Sequence, residues 1–218
     1  MADPLTTLEV TDGVAVLTLD RPDKRNALSR ALRQEIVSRL DELEKDASIR
    51  VAVLTGAPPA FCAGFDRSEF GAGGEMAEIF EESMAYHHRV YTFSKPLIAA
   101  VNGPALGGGC DLAALCDFRL ASTLAVFGQP QVRFGAPAIF ELMREVVGAG
   151  AAREMCLTGR RYDAQEALAI GLVNRVVEPG ELLESASATA REIASLPEGM
   201  AETAKRSFLA QQPQIFQT

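Results

Sequence analysis

The 218-residue sequence is poor in the side chains that bind zinc. It has only two histidines, the adjacent His87 and His88, and its four cysteines show no paired CxxC spacing. Zinc sites in proteins are built from such closely spaced ligand pairs, so no metal site is predicted. Unpaired cysteines are also typical of a reducing compartment. We therefore expect free thiols and a cytoplasmic location.

Positive charge is scarce as well, with 21 lysines and arginines against 29 aspartates and glutamates and a formal net charge of −8. This balance offers no attraction for nucleic acid or for an anionic membrane surface. The apolar runs are too short to span a bilayer, and the sequence does not open with a basic stretch followed by an apolar signal region. We predict a folded protein that binds neither nucleic acid nor membranes.

One basic cluster stands near the N-terminus, where Arg21, Lys24 and Arg25 occur within the sequence RPDKRNALS. Because the protein as a whole is acidic, a ligand that carries phosphate groups has to bind at a local cluster of basic residues such as this one. A solvated loop without a ligand is the alternative interpretation.

The pattern of apolar residues predicts alternating strands and helices. A strand at residues 14–22 follows a turn at Thr11, Asp12 and Gly13, and the next helix has Ser29 as its N-cap. Residues 51–56 and 96–103 are apolar runs typical of buried strands, and a helix lies between them. We expect an α/β fold with crossover connections.

The second half of the chain continues the alternation. GGGCDLAALCD predicts a turn and a short helix, FRLAS and VFGQPQV predict strands, and NRVV predicts a brief strand. The segments LMREVVG, AAREMCL and DAQEALAIG are expected to be short amphipathic helices, followed by helices at 182–194 and 198–210.

Two loops rich in small residues follow buried-type strands, with the sequences FCAGFD (61–66) and NGPALGGG (102–109). Glycine allows backbone to approach a ligand closely, and N–H groups at the start of a helix lack intrahelical partners. This arrangement suits a developing oxyanion. A phosphate loop or dinucleotide fold is disfavoured because GxxxxGK[ST] and GxGxxG are absent. Tight strand–helix packing is the remaining alternative.

Five motifs in series resemble the enoyl-CoA hydratase/isomerase, or crotonase, family: RPDKRNALS, AFCAGFD, NGPALGGGCDLAALCD, FGQPQV and TGRRYDAQEALAIGLVNRVV. The resemblance covers about residues 5–210. It implies a spiral of ββα units over residues 1–178, a short helical C-terminal trimerisation region over 179–218, and a homotrimer or hexamer. It also implies an acyl-CoA or enoyl-CoA substrate in fatty acid metabolism, with no permanently bound cofactor.

The resemblance assigns roles to matching positions. The N–H groups of Phe65 and Gly108 would form an oxyanion hole for the thioester carbonyl, although the bulky Phe65 ring must find room outside the acyl tunnel. The residues implied along the coenzyme A moiety are Lys24, Arg25, Ala27, Ala63, Gly64 and Asp66.

The acid–base positions depart from the family pattern. Two glutamates serve the hydratases there, and this sequence has Asp111 and Gln131. Asp111 keeps a carboxylate that can act as a base, or it merely complements the helix N-terminus. Gln131 can orient water or a carbonyl but cannot exchange a proton near neutral pH. Glu141 is the best candidate for a relocated carboxylate, with a surface glutamate as the alternative.

Two functions follow from these departures. The leading hypothesis is an acyl-CoA enzyme that stabilises a thioester enolate, most simply an enoyl-CoA hydratase or isomerase with altered acid–base residues. The alternative is a catalytically weak or inactive acyl-CoA-binding protein with the same fold. The resemblance also implies further helix after AKRSFLAQQPQIFQT, which in the family closes the coenzyme A pocket, so an edge of that pocket is expected to be missing.

Overall fold

The computed structural model describes residues 3–69, 75–211 and 215, in which strands and helices alternate as expected. The strands are β1 (Thr6–Thr11), β2 (Val14–Leu19), β3 (Val51–Gly56), β4 (Leu97–Val101), β5 (Ala105–Leu106), β6 (Phe118–Ser122), β7 (Val126–Gly128), β8 (Arg161–Asp163) and β9 (Arg175–Val177). The helices are α1 (Arg30–Lys45), α2 (Glu75–Tyr91), α3 (Gly108–Leu115), α4 (Phe140–Thr158), α5 (Ala164–Ala169), α6 (Leu182–Ala194) and α7 (Met200–Leu209).

The strands form two sheets. A six-stranded sheet has the order β1-β2-β3-β4-β6-β9, in which only the β1–β2 pair is antiparallel. A three-stranded sheet has the order β5-β7-β8. From β4 to β7, successive strands alternate between the sheets, because β4 and β6 belong to the first while β5 and β7 belong to the second. This alternation gives the chain the spiral course that was expected.

Strand β3 is buried on both faces, as its continuous apolar sequence predicts. Ala52 and Leu54 belong to the larger core cluster, which includes side chains of α1 and α3. Val51 and Val53 point to the opposite face, into a second cluster. That face is covered by α6, whose buried residues recur every four positions at Leu182, Ala186 and Ala190. The predicted boundary between residues 178 and 179 stays a prediction.

Helix α1 begins where the sequence places it. The Ser29 hydroxyl accepts a hydrogen bond from the N–H of Leu32 at 3.2 Å and so satisfies one of the free donors of the first turn. The helix buries one apolar stripe, formed by Leu32, Ile36, Leu40 and Leu43. The N-cap and the buried face predicted for this helix are confirmed.

One predicted strand is shorter in the structure than expected. The strand expected at VFGQPQV ends at Gly128, because Pro130 lacks the N–H that would extend the ladder and instead opens a 3₁₀ turn, Pro130–Phe134. As expected, LMREVVG and AAREMCL lie in two successive helical segments, which α4 joins across a kink at Gly148, where φ is 75° and ψ is 167°. Within the described residues, no helix is long and apolar enough to cross a membrane.

The carboxyl end of α3 is closed by a buried arginine. The guanidinium of Arg119 donates to the carbonyl oxygens of Ala113, Ala114 and Cys116 at 3.3, 3.3 and 2.9 Å, and to Leu172 O at 2.6 Å. Ala113 O also accepts the N–H of Cys116 at 3.3 Å, whereas the carbonyls of Ala114 and Cys116 lie where the helix has no further N–H donors. The arginine therefore supplies hydrogen bonds that the end of the helix lacks. The short helix α3 is thus anchored at its carboxyl end, which leaves its amino end to serve the site.

Candidate active site

The two glycine-containing loops lie side by side and are joined through their backbones. The N–H of Cys62 donates to Pro104 O at 3.1 Å, and the N–H of Leu106 donates to Cys62 O at 3.0 Å. Gly109 packs against the same segment so closely that a β-carbon there would overlap the carbonyl oxygen of Cys62. The loop after β3 and the start of α3 are consequently held in one fixed register.

This register brings the Phe65 and Gly108 N–H groups into one neighbourhood. Leu28 N donates to Gly64 O at 2.8 Å and Asp66 N donates to Leu28 O at 3.2 Å, so the N–H of Phe65 points away from Leu28. A β-carbon built on the neighbouring Gly64 would lie 3.4 Å from the nitrogen of Gly108. Gly108 is the first residue of α3, and its N–H therefore has no acceptor within the helix.

The ring of Phe65 packs directly onto Gly108. A β-carbon at Gly108 would lie 2.6 and 2.7 Å from two ring carbons, so only glycine fits beneath the ring. The guanidinium carbon of Arg33 lies 5.2 Å from the ring centroid, and the His87 ring meets it edge-on at 6.0 Å. Phe65 thus packs against the core together with Gly108, Arg33 and His87, which is how its bulk is accommodated.

The two histidines face different ways. His87 is buried against Phe65, whereas His88 is exposed. Burial, followed by the nearby charge of Arg33, lowers the pKa of His87 to about 4. The imidazole of His87 is therefore neutral at physiological pH, and it contacts the aromatic ring behind the site.

Asp111 lies one turn into α3 and is 3% exposed. Its Oδ1 accepts a hydrogen bond of 2.7 Å from Nε2 of the fully buried Gln129. Burial raises the pKa of Asp111 from 3.8 to about 7, and the hydrogen bond from Gln129 opposes this only in part. The side chain thus bonds to an amide rather than to the N-terminal N–H groups of α3, unlike a residue that merely caps the helix. A carboxyl group with this pKa is present in both its protonated and its ionised form near neutral pH.

Gln131 continues the chain of side chains that starts at Asp111. Its Nε2 donates to Oε1 of Gln129 at 2.6 Å. Its own Oε1 is buried and accepts no hydrogen bond from any described residue. This oxygen lies next to Gly107, where a β-carbon would be 3.3 Å away. The 3₁₀ turn at Pro130 thus directs both glutamines back to the start of α3.

The geometry of this site can be compared with known proteins. A model of the family described as enoyl-CoA hydratase/isomerase matches residues 9–215. A putative enoyl-CoA hydratase of Thermus thermophilus is 42% identical over 188 residues, which cover 83% of this chain and 74% of that protein. The short-chain-enoyl-CoA hydratase of Clostridium acetobutylicum is 41% identical over 197 residues, 86% of this chain and 74% of that one. This chain belongs to the enoyl-CoA hydratase/isomerase family.

Solved structures agree with this assignment. Enoyl-CoA hydratase from Bacillus anthracis superimposes with a TM-score of 0.90 at 33% identity, over 97% of this chain and 88% of that one. An enoyl-CoA hydratase/isomerase from Xanthobacter autotrophicus superimposes with a TM-score of 0.91 at 35% identity, over 96% and 80% of the two chains. The expected crotonase fold and the expected class, an enzyme of the hydratase/isomerase family, are confirmed.

The segment expected to line coenzyme A in the family is fixed by an ion pair. Nη1 of Arg21 lies 2.7 Å from Oδ2 of Asp66 and also donates to Ala27 O at 2.9 Å. Burial alone would raise the pKa of Asp66, but hydrogen bonds from Ser68 and Arg21 outweigh burial and lower this pKa to about 2. Asp66 is therefore ionised at physiological pH and holds the two segments together.

The ion pair with Asp66 distinguishes Arg21 from the other two basic residues of the N-terminal cluster. Arg21 is neutralised by Asp66, whereas Lys24 and Arg25 are exposed and form no ion pair with another described residue. Arg25 has a left-handed φ of 51°, and its carbonyl oxygen accepts the N–H of Ala63 at 3.0 Å. Lys24 and Arg25 are thus the two cations of the cluster that remain available for a phosphate.

Asn26 was not singled out from the sequence, yet it is fully buried between these segments. Its Nδ2 lies within hydrogen-bond distance of the carbonyl oxygens of Ala57, Ala60 and Phe61, at 2.9, 2.8 and 3.2 Å. Its Oδ1 accepts the N–H of Arg21 at 2.9 Å. The left-handed φ of 54° at Asn26 is a conformation that asparagine tolerates better than most residues, and this is the one local signal of its role.

Glu141 is exposed in the first turn of α4. No hydrogen bond joins it to Asp111 or Gln131 in the described part of the chain. Burial and then the charges of Asp111 and Glu141 raise the pKa of Cys156. Glu141 lies outside the Asp111–Gln129–Gln131 chain, and its catalytic role stays a prediction.

Proposed function

We propose that this enzyme adds water to the double bond of an enoyl-CoA thioester and that Asp111 is its acid–base group. One observation carries the proposal: a buried carboxyl with a pKa of about 7 stands one helical turn from the Gly108 N–H, beside the loop that presents the Phe65 N–H. A group with this pKa serves both as base and as acid near neutral pH.

In this proposal the thioester oxygen accepts hydrogen bonds from the N–H groups of Phe65 and Gly108. These donors are backbone atoms of fixed loops, so they stabilise an enolate oxygen without reorganising. The positive end of the α3 dipole adds to the effect. Lys24 and Arg25 face the phosphates of coenzyme A, and Ala27, Ala63 and Gly64 supply the small surfaces along its adenine and pantetheine parts.

The reaction proceeds with one carboxyl. Ionised Asp111 takes a proton from water while the water oxygen bonds to the β-carbon, and the electron pair of the double bond moves onto the thioester as an enolate. Protonated Asp111 then gives the same proton to the α-carbon, the thioester carbonyl reforms, and Asp111 is ionised again. Gln131 orients the water but takes no proton, because an amide does not exchange protons near neutrality.

The test is a pair of measurements with crotonyl-CoA, its turnover and its binding. We expect the conjugated absorbance of the enoyl thioester to disappear, and Asp111→Asn to slow this by 10²- to 10⁴-fold while leaving the Kd of butyryl-CoA within about twofold. The rate of the unmodified enzyme should rise with a single ionisation near pH 7. Tight binding with no turnover, unchanged by Asp111→Asn, would instead establish the alternative, an inactive acyl-CoA-binding protein.

Assembly and location complete the proposal. Large apolar side chains are exposed on this chain, among them Leu124, Phe134 and Leu157, which supports self-association into a homotrimer or hexamer. The four cysteines are free thiols, which fits a reducing, cytoplasmic environment. Light scattering tests the assembly, and a clean monomer at micromolar concentration would contradict it.

A further inference from the structure

Helix α1 carries an arginine on its buried face, where apolar side chains otherwise pack. Arg33 is 3% exposed and is buried together with Leu32 and Ile36. Removing a guanidinium from water costs several kcal/mol unless other groups compensate for the lost hydration. The contacts that Arg33 makes with its surroundings must therefore offset this cost.

The shortest hydrogen bond that Arg33 forms with the described residues is to a backbone carbonyl. Its Nη1 donates to Leu28 O at 2.8 Å. The carboxylates of Glu69 and Glu82 lie farther away, at 3.3 and 3.5 Å, whereas a charge-assisted hydrogen bond is usually about 2.7–2.9 Å long. These two carboxylates make shorter bonds with Arg30, at 2.7 Å to its backbone N–H and 2.8 Å to its Nε. The Leu28 carbonyl is thus the contact that holds the guanidinium of Arg33.

Leu28 is also the residue that orients the Phe65 N–H. Its own N–H donates to Gly64 O at 2.8 Å, and this carbonyl shares one planar peptide group with the Phe65 N–H. Its carbonyl oxygen accepts Asp66 N at 3.2 Å, on the other side of Phe65. With the bond from Arg33, this oxygen has two donors for its two lone pairs, which fixes its direction.

The guanidinium of Arg33 contacts the side chain of Phe65 as well. Its central carbon lies 5.2 Å from the centroid of the Phe65 ring, within the range of a cation–π interaction. The opposite constraint on the ring comes from Gly108, where a β-carbon would lie 2.6 Å from a ring carbon. Arg33 therefore acts on Phe65 in two ways, on its ring directly and on its backbone through Leu28.

We propose that Arg33 is a positioning residue of the oxyanion hole, which holds the Phe65 N–H in the direction of the thioester oxygen through the Leu28 carbonyl and the Phe65 ring. The inference rests on the proposed function, because the thioester oxygen has to lie at the N–H groups of Phe65 and Gly108. A donor that is held in place before the reaction stabilises the enolate without reorganising, and a donor that moves loses part of this effect. Arg33 therefore acts on the rate of the reaction more than on the affinity for the ligand.

Infrared difference spectra of bound butyryl-CoA, labelled with ¹³C at the thioester carbonyl, test the proposal, because hydrogen bonds to this carbonyl lower its stretching frequency. We expect a lower frequency in the bound than in the free ligand for the unmodified enzyme, and a smaller lowering for Arg33→Met. In this variant kcat for crotonyl-CoA should fall about 10- to 100-fold, because a displacement of about 1 Å costs up to about 10²-fold. KM should change by less than about threefold.

Two control variants separate this role from ion pairing and from general stability. Glu82→Gln removes a carboxylate near Arg33 but leaves the hydrogen bond to Leu28 O, and Arg39→Met removes another arginine of the same helix, which is paired with Glu42. Both should keep the bound carbonyl frequency and the kcat of the unmodified enzyme, whatever they cost in urea unfolding. If Arg33→Met does not fold, Arg33→Lys should show the same losses in part, because it keeps the buried charge but lacks the planar fork of the guanidinium.

An unchanged carbonyl frequency in whichever Arg33 variant folds would overturn the inference, and so would equal losses in the two control variants. A lowered frequency in the unmodified enzyme without turnover of crotonyl-CoA would remove the proposed hydration but not the role of Arg33, which the frequencies of the variants would then decide. If binding to the unmodified enzyme does not lower the frequency at all, the oxyanion hole and the role of Arg33 both fail.

Discussion

Replacing Asp111 by asparagine should stabilise the protein, and increasingly so as the pH rises. The pKa of Asp111 is raised from 3.8 to about 7, so between these values the folded state holds a proton that the unfolded state has released. Stability therefore falls as the pH rises through this window, and the whole penalty remains above pH 7. At 1.36 kcal/mol per pH unit, the penalty is roughly 4 kcal/mol. Asparagine is neutral throughout and keeps an oxygen for Gln129 to bond.

The assay is urea unfolding of both proteins at a fixed concentration, at about pH 5 and about pH 8. The advantage of Asp111→Asn should grow by about 2.5 kcal/mol between these values. All other titrating groups are shared and cancel in the difference. Parallel stability curves for the two proteins would show that Asp111 ionises like an exposed carboxyl and would refute the reasoning from burial.

Four further outcomes are expected. Gln131→Glu should raise the rate of crotonyl-CoA hydration about tenfold, because it restores a second proton-exchanging group. Gly109→Ala should lower the free energy of unfolding by about 3 kcal/mol, because its β-carbon meets backbone, whereas Gly150→Ala enters open space and should be tolerated. Asp66→Asn should cost about 2 kcal/mol above pH 4, and this difference should vanish towards pH 2 as the wild-type carboxyl protonates. Arg119→Met should cost about 3 kcal/mol in urea unfolding, because it removes the guanidinium donors of Leu172 O and of the carbonyls at the end of α3; unchanged stability would contradict that role.

Features set by local sequence were predicted well. Ser29 and the apolar stripe of α1 depend on spacing within a few residues, and spacing of that kind is visible in the sequence itself. The same holds for β3, whose uninterrupted apolar run indicates burial on both faces. The nearness of Phe65 and Gly108 was implied by the family resemblance rather than by local sequence, and their role as an oxyanion hole stays a prediction.

Features set by distant contacts were not predicted. Gln129 bonds to a residue 18 positions away, and Asn26 bonds to carbonyls 31 to 35 positions away. Neither contact leaves a periodic signal in the sequence. The turn at Pro130 was also missed, because an apolar run before a proline resembles a strand. The polar chain behind the site therefore became visible only when these segments were brought together.

The burial of Asp111 also determines where a proton that this residue takes from the substrate can go. Its described hydrogen-bond partner, Gln129, has an amide side chain, which can orient the groups that it bonds to but does not transfer protons near neutral pH. A proton taken from the substrate has no described hydrogen-bonded group of Asp111 to which it can pass, and the oxygen next in line belongs to the departing hydroxyl. In the dehydration direction, deuterium on the α-carbon and ¹⁸O on the β-carbon of one substrate molecule should therefore leave together in a single molecule of water.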